Sequence, residues 1–376
     1  MVIHSSMWST YVSLTERPQD AEECITREML SHRGAGLRLI NDELSLVCNG
    51  KAPSDALLLS ILATTIEFRD MSRPGDTNET PHPFRISHMP KGWDFLTLRY
   101  SQTHINGLFE LVARRGGLGS LQNRTIAKSI AIFDMMMAAM ELRSPVQPWT
   151  EIDEIASLAA DKTLNVLEPE SHLEARAPGS SLSALQRLVG GLSPLAPVLD
   201  KLQRVVAVSY ALARGRLSNI NLTALSGQST QLHHALLSVP PCQDCAASGL
   251  LYEPVRLVTL IFDVGVLFPQ PPALGLLGRL VRGTKAELDR LTALAYTDDG
   301  MAEALVWVLF VAGVAATGMP EKDWFIERLS RLTQSMKQWL EVKQLLMSFV
   351  WVPDSMDEAA IDLWNEVRCN EIRPDV

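Results

Sequence analysis

Between Glu303 and Val367 the chain repeats apolar residues at helical spacing, and this run narrows its fold more than any other feature. It opens on Ala304-Leu305-Val306-Trp307-Val308-Leu309-Phe310-Val311-Ala312-Gly313. After Gly318-Met319-Pro320, Phe325, Leu329, Leu332, Met336, Leu340, Leu345 and Phe349 recur mostly at three- or four-residue steps. Arg328, Arg331, Lys337, Glu341 and Lys343 fill positions between them. An α-helix turns once in about 3.6 residues, so this spacing predicts one amphipathic helix whose apolar stripe needs a cover. Four of the eight Trp residues lie from Trp324 to Trp364, where catalytic residue types are scarce. The run reads as a scaffold of packed helices.

The rest of the chain follows the same period. Ser54-Asp55 precedes Leu57-Leu58-Leu59, Ile61-Leu62, Ile66 and Phe68, a small polar cap followed by a buried face. A helix is expected from about Leu98 through Leu108, Leu111 and Val112, ending at Gly116-Gly117, because glycine takes the left-handed conformation that closes helices. Further helices are expected at about Arg124–Leu142, Leu182–Leu192, Pro197–Leu212, Leu217–Val239, Ala247–Phe268, Lys285–Leu294 and Asp299–Thr317. Proline-rich stretches predict loops at about 70–95 and 168–182. No segment alternates persuasively between apolar and polar residues. The expectation is an all-α fold without a sheet: a large, irregular domain of packed antiparallel helices over residues 31–370. Residues 1–30 are expected to form a poorly ordered N-terminal segment.

Charge and cysteine usage exclude several classes. With 34 basic and 43 acidic residues the net charge is −9, and no dense Lys/Arg run is available to neutralise phosphates. Five cysteines in 376 residues are too few and scattered for a disulfide framework. No stretch reaches the ~18 apolar residues of a membrane span, and the N-terminus carries no secretory signal pattern.

Candidate chemistry is thin. Cys242 and Cys245 are spaced like half a zinc site, and His233 and His234 upstream could add a ligand. Adjacent histidines point to different sides of a helix, however, and no second Cys pair exists, so two loop thiols are expected. Pro241-Cys242-x-x-Cys245 with His172-Leu173-Glu174 also resembles the two halves of a zinc-deaminase signature, though the first half lies in a linker. Gly116-Gly117-Leu118-Gly119 follows a helix and lacks a Lys-Ser/Thr pair, so it reads as helix termination instead of a phosphate loop. His82 and His88 read as solvated loop residues, and Met135-Met136-Met137 as core filling. No residue is assigned a catalytic, cofactor or metal role.

Several segments resemble a known family. His104-x-x-Gly107-Leu108-x-x-Leu111-Val112-x-x-Arg115-Gly116-Gly117-Leu118, followed by the helix carrying Asp134, is the first. Leu251-Tyr252-Glu253-x-x-Arg256 with Val266-Leu267-Phe268-Pro269 is the second. The third runs from Trp307 and Gly313 through Trp324-Phe325, Trp339-Leu340-x-Val342-Lys343, Phe349-x-Trp351, Asp357 and Leu363-Trp364-x-Glu366-Val367. In this order they resemble the fungal-specific transcription factor regulatory domain, which lies C-terminal to a binuclear zinc-cluster DNA-binding domain. The resemblance implies a non-enzymatic, all-helical regulatory region without cofactors, placed in the nucleus, with the cytoplasm a second location. It implies protein partners, a homodimer among them, with no membrane and with room for a small-molecule effector. The family's zinc cluster uses six close cysteines, whereas only Cys24 and Cys48 occur in the first hundred residues here. The expectation is a chain without its own DNA reader. Two alternatives stand behind it: a metabolite-sensing helical domain, and a zinc-dependent deaminase-like enzyme.

Overall fold

The computed structural model describes residues 19–67, 83–84, 99–149, 185, 189, 193–213, 222–241, 249–268, 275–291 and 299–371. Among them are 12 helices, and 78% of the described residues are helical. The chain is all-α, as the periodicity predicts. The sole extended pairing among the described residues is an antiparallel bridge two residues long, Ile66–Glu67 against Arg99–Tyr100.

The chain divides into two compact units. One comprises residues 1–73, 97–134 and 146–152; the other comprises 74–96, 135–145 and 153–376. Helices are numbered in chain order.

In the smaller unit, α1 spans Gln19–Cys48, α2 Asp55–Thr65 and α3 Gln102–Arg115, and α4 (Arg124–Glu141) begins here. Helical structure thus starts inside the expected N-terminal segment. Ser54 caps α2 as expected, its Oγ accepting the Leu57 N–H at 3.0 Å. Leu57, Leu58, Ile61 and Leu62 face inward, and α2 packs on α3, which buries Ile105, Leu108, Leu111 and Val112. α3 begins at Gln102, later than expected, and ends on Gly116, whose φ of 99° is left-handed. The Gly117 N–H then bonds the Val112 carbonyl at 2.9 Å. Arg115 ties this end to the start of α2: Nη2 lies 2.7 Å from Asp55 Oδ1, and Nη1 donates to the Pro53 carbonyl. The glycine run is therefore helix termination.

The larger unit holds the rest of α4, then α5 (Ala196–Ala213), α6 (Leu222–Ser238) and α7 (Tyr252–Phe262). After it come α8 (Leu276–Leu291), α9 (Asp299–Ala315), α10 (Lys322–Leu332), α11 (Trp339–Ser348) and α12 (Pro353–Glu371). Every residue from Ala304 to Ala316 is buried. A helix apolar on all sides must be covered on all sides, and α9 packs against α7, α8, α10, α11 and α12. Gly313 permits the closest approach: a Cβ there would stand 2.8 Å from Leu363 Cδ2 on α12.

Three expectations shift. The stripe from Phe325 to Phe349 is two helices, because the chain turns at Thr333. Thr333 Oγ1 and N–H both bond the Leu329 carbonyl, at 2.7 and 2.9 Å. A capping box between Gln338 and Glu341 then starts α11. The break changes the helical phase, which leaves Leu340 58% exposed although it fits the stripe. α8 begins at Leu276 instead of Lys285, burying Leu276, Leu277, Leu280 and Val281. Within the expected loop 70–95, Phe84 is buried in the core of the larger unit. The remaining loop positions, including His82 and His88, and the loop 168–182 lie outside the described residues. No described helix is long and apolar enough to cross a membrane.

Candidate functional site

α6 carries its apolar residues at helical spacing, with Leu225, Leu232, Leu236 and Leu237 buried. His233 falls on that inner face and is fully buried, while His234 is half-buried beside Ser238. The two histidines therefore diverge, as adjacent positions on a helix must. Opposite stands α7, whose residues from Val255 through Phe262, apart from Arg256, are all buried. An apolar run of this kind has no exposed face on which to place Asp263, so the carboxylate is buried with it at 0% exposure.

The carboxylate finds its partner on α6. His233 Nδ1 bonds Asp263 Oδ2, and both side chains are wholly enclosed. Phe268 stacks on the imidazole with ring centroids 4.4 Å apart and planes 14° apart. The backbone is unusual at the same point. Asp263–Leu267 forms a π-turn, closed by the Phe268 N–H on the Asp263 carbonyl at 2.6 Å. Such one-turn widenings concentrate at functional sites. Gly265 sits within the turn, where an added Cβ would stand 2.6 Å from ring atoms of Phe84.

The polar accounting of this pair is incomplete. Among the described residues, His233 Nε2 and Asp263 Oδ1 are buried without a hydrogen-bond partner. Buried polar groups in folded proteins are nearly always paired, so two orphans on one bonded pair mark a site with unmet chemistry.

The other candidates resolve differently. Cys242, Cys245, His172 and Glu174 lie outside the described residues. His233 already commits Nδ1 to Asp263, and no group of three or more His, Cys, Asp or Glu residues among the described residues could hold a metal. Asp134 is buried and accepts the Gln147 N–H at 2.6 Å, pinning the turn after α4. Glu253 and Arg256 form a two-point fork, Nε to Oε2 at 2.9 Å and Nη2 to Oε1 at 2.7 Å. Tyr252 donates its hydroxyl to the Pro240 carbonyl at 2.7 Å.

The Trp-rich C-terminal motif is likewise built into the frame. Trp307 Nε1 donates to the Val350 carbonyl at 2.9 Å, and its ring stacks on Phe349. Trp351 Nε1 and Lys343 Nζ share the Asp357 carboxylate at 2.8 and 2.6 Å. Phe310 lies between Trp339 and Trp364, with centroids 6.3 and 6.5 Å away. Half-buried Trp324 meets Phe325 edge-on, and Lys285 and Arg328 each lie 5.2 Å from its centroid.

Sequence reasoning named His233 only as a prospective zinc ligand and gave Asp263 no role. The signal was present: a lone acid in a segment with no polar face needs a buried partner. The partner's identity depends on how α6 packs on α7, which no local pattern encodes.

With this geometry in view, residues 8–373 match the family model described as fungal specific transcription factor domain. Comparisons with curated proteins and with solved structures returned no match.

Proposed function

We propose, from the premise that this chain belongs to the family of fungal specific transcription factor domains, that it regulates transcription through contacts with proteins and not through catalysis. The family match over residues 8–373 carries the reading. The structure supports it in kind. The motif residues that resemble the family, Trp307, Gly313, Trp351 and Asp357, are spent on packing and bonding within the frame, and Arg256 on a fork to Glu253 along its own helix. A surplus of 43 acidic over 34 basic residues disfavours duplex DNA as the partner of this segment.

The reading has a direct test. Fused to an unrelated DNA-binding module in a fungal cell, the chain should raise or lower a reporter gene that the module alone leaves unchanged. Unchanged output from a folded, nuclear fusion would overturn it. In parallel, a gel shift at physiological salt should show the isolated chain leaving random duplex DNA unshifted. Self-association is one contact of the proposed kind, and sedimentation velocity measures it. A fluorescent fusion locates the chain, with nuclear signal expected.

One observation favours a second reading, in which a small-molecule effector adjusts the domain's partner preference. It is the pair of unpartnered polar atoms on His233 and Asp263 inside the larger unit.

A further inference from the structure

We infer that the π-turn at Asp263–Leu267 and the adjoining face of α6 form a binding site for a small organic ammonium ligand. The inference rests on the effector reading and supplies its site and its chemical class.

The argument begins with charge. Asp263 is 0% exposed, and among the described residues His233 is its only side-chain partner. A carboxylate removed from water needs hydrogen bonds on both oxygens and a compensating positive charge. Oδ2 bonds His233 Nδ1, while Oδ1 has no hydrogen-bond donor among the described residues. In the tautomer that gives its single proton to Asp263 through Nδ1, the imidazole presents Nε2 as an acceptor. Both unmet atoms then ask for donors. An ammonium group brings several N–H donors and the missing charge together, whereas a carboxylate or phosphate anion would repel Asp263.

The surroundings fit the same class. Phe268 lies flat against the His233 ring, and the Phe84 ring rests on Gly265 closer than any side chain at that position would allow. Aromatic faces beside a carboxylate are the usual means of holding organic cations. Entry is by opening of the π-turn, which carries Asp263 itself and whose closing bond spans one residue more than an α-helical bond. Since both side chains are fully enclosed, binding requires that opening and should be slow.

The test uses the full chain with methylammonium, 1,4-diaminobutane and choline, and with acetate, phosphate, glycerol and a broader metabolite panel as comparators. At least one amine should raise the unfolding temperature and bind in titration calorimetry. Asp263→Asn should weaken that binding by about tenfold or more, the loss typical when one partner of an enclosed charge pair is removed. His233→Gln should weaken it as well, and Leu340→Ala, on an exposed surface, should leave it unchanged. If Asp263→Asn fails to fold, nitrogen NMR of the wild-type imidazoles decides, because the amine should shift the His233 Nε2 signal. Equal binding by the wild type and Asp263→Asn would overturn the site, as would amine-saturated crystals with only water at Nε2 and Oδ1. Binding of an acid or neutral compound indifferent to Asp263→Asn would overturn the ammonium site and keep the effector reading. A panel in which nothing binds would overturn both.

Discussion

At the scale of single residues, the larger unit tolerates a buried pair with polar atoms that no described residue satisfies. Asp263→Ala would strand the His233 imidazole without its partner. The expected cost is about 1–3 kcal/mol, the range for leaving a buried polar group unsatisfied. Replacing both residues with leucine should cost far less, because a buried pair exchanged for packed apolar groups is often close to neutral. Urea denaturation of the single and double variants checks this, and equal losses would show that the pair itself is not the stabilising unit. Gly265→Ala has a separate logic. Its methyl would meet Phe84 ring carbons at 2.6 Å, and overpacking of this kind costs about 1–3 kcal/mol. A double-mutant cycle with Phe84→Ala should reveal coupling of about 0.5–3 kcal/mol, and strictly additive effects would remove the contact from the account. These residues were unequally legible. Asp263 stands as a lone acid in the apolar stretch from Val255 to Phe268, a signal that was legible but not read. Phe84 lies between prolines and polar residues, so no period signals its insertion.

At the scale of elements, starts and stops were legible wherever a small side chain closes them locally. Ser54 and Gly116 do so, one with its hydroxyl and the other with a positive φ. Ser54→Ala should therefore cost about 0.5–2 kcal/mol, read as a lower unfolding midpoint, while Ser54→Asp should keep most of the stability. If both variants lost the same amount, the side-chain cap would not be what starts α2. The break between α10 and α11 was illegible for a related reason. Apolar residues keep arriving at three- and four-residue steps across Thr333 to Gln338, so periodicity alone continues the helix. The break is made by Thr333 bonding back to Leu329 and by the box between Gln338 and Glu341, both of which use residue types common inside helices. The start of α8 was missed because Leu276 and Leu277 follow a proline-rich stretch that looks like a loop. The candidate site shares this limit, since its two residues come from elements whose pairing is tertiary.

At the scale of the whole chain, the fold class was legible because a helix period recurs from end to end and nothing alternates. The division into two compact units was not, because one of its boundaries falls inside α4, between Asp134 and Met135. No proline, glycine or change of composition marks that point, and a helix that continues through a boundary leaves no linker to read. What burial does predict is an order of opening within the larger unit. α9 is enclosed from Ala304 to Ala316 and packs against five other helices, so no local fraying exposes its amides. Amide exchange there should require unfolding of the unit and should accelerate with denaturant as steeply as global unfolding does. α11 exposes Leu340 and packs on α9 along one side, so its amides should exchange through smaller openings. Hydrogen exchange read by mass spectrometry across a denaturant series resolves the two. Exchange in α9 as fast as in α11 would mean that the central helix opens without its neighbours, and the core described here would have to be redrawn around a different element.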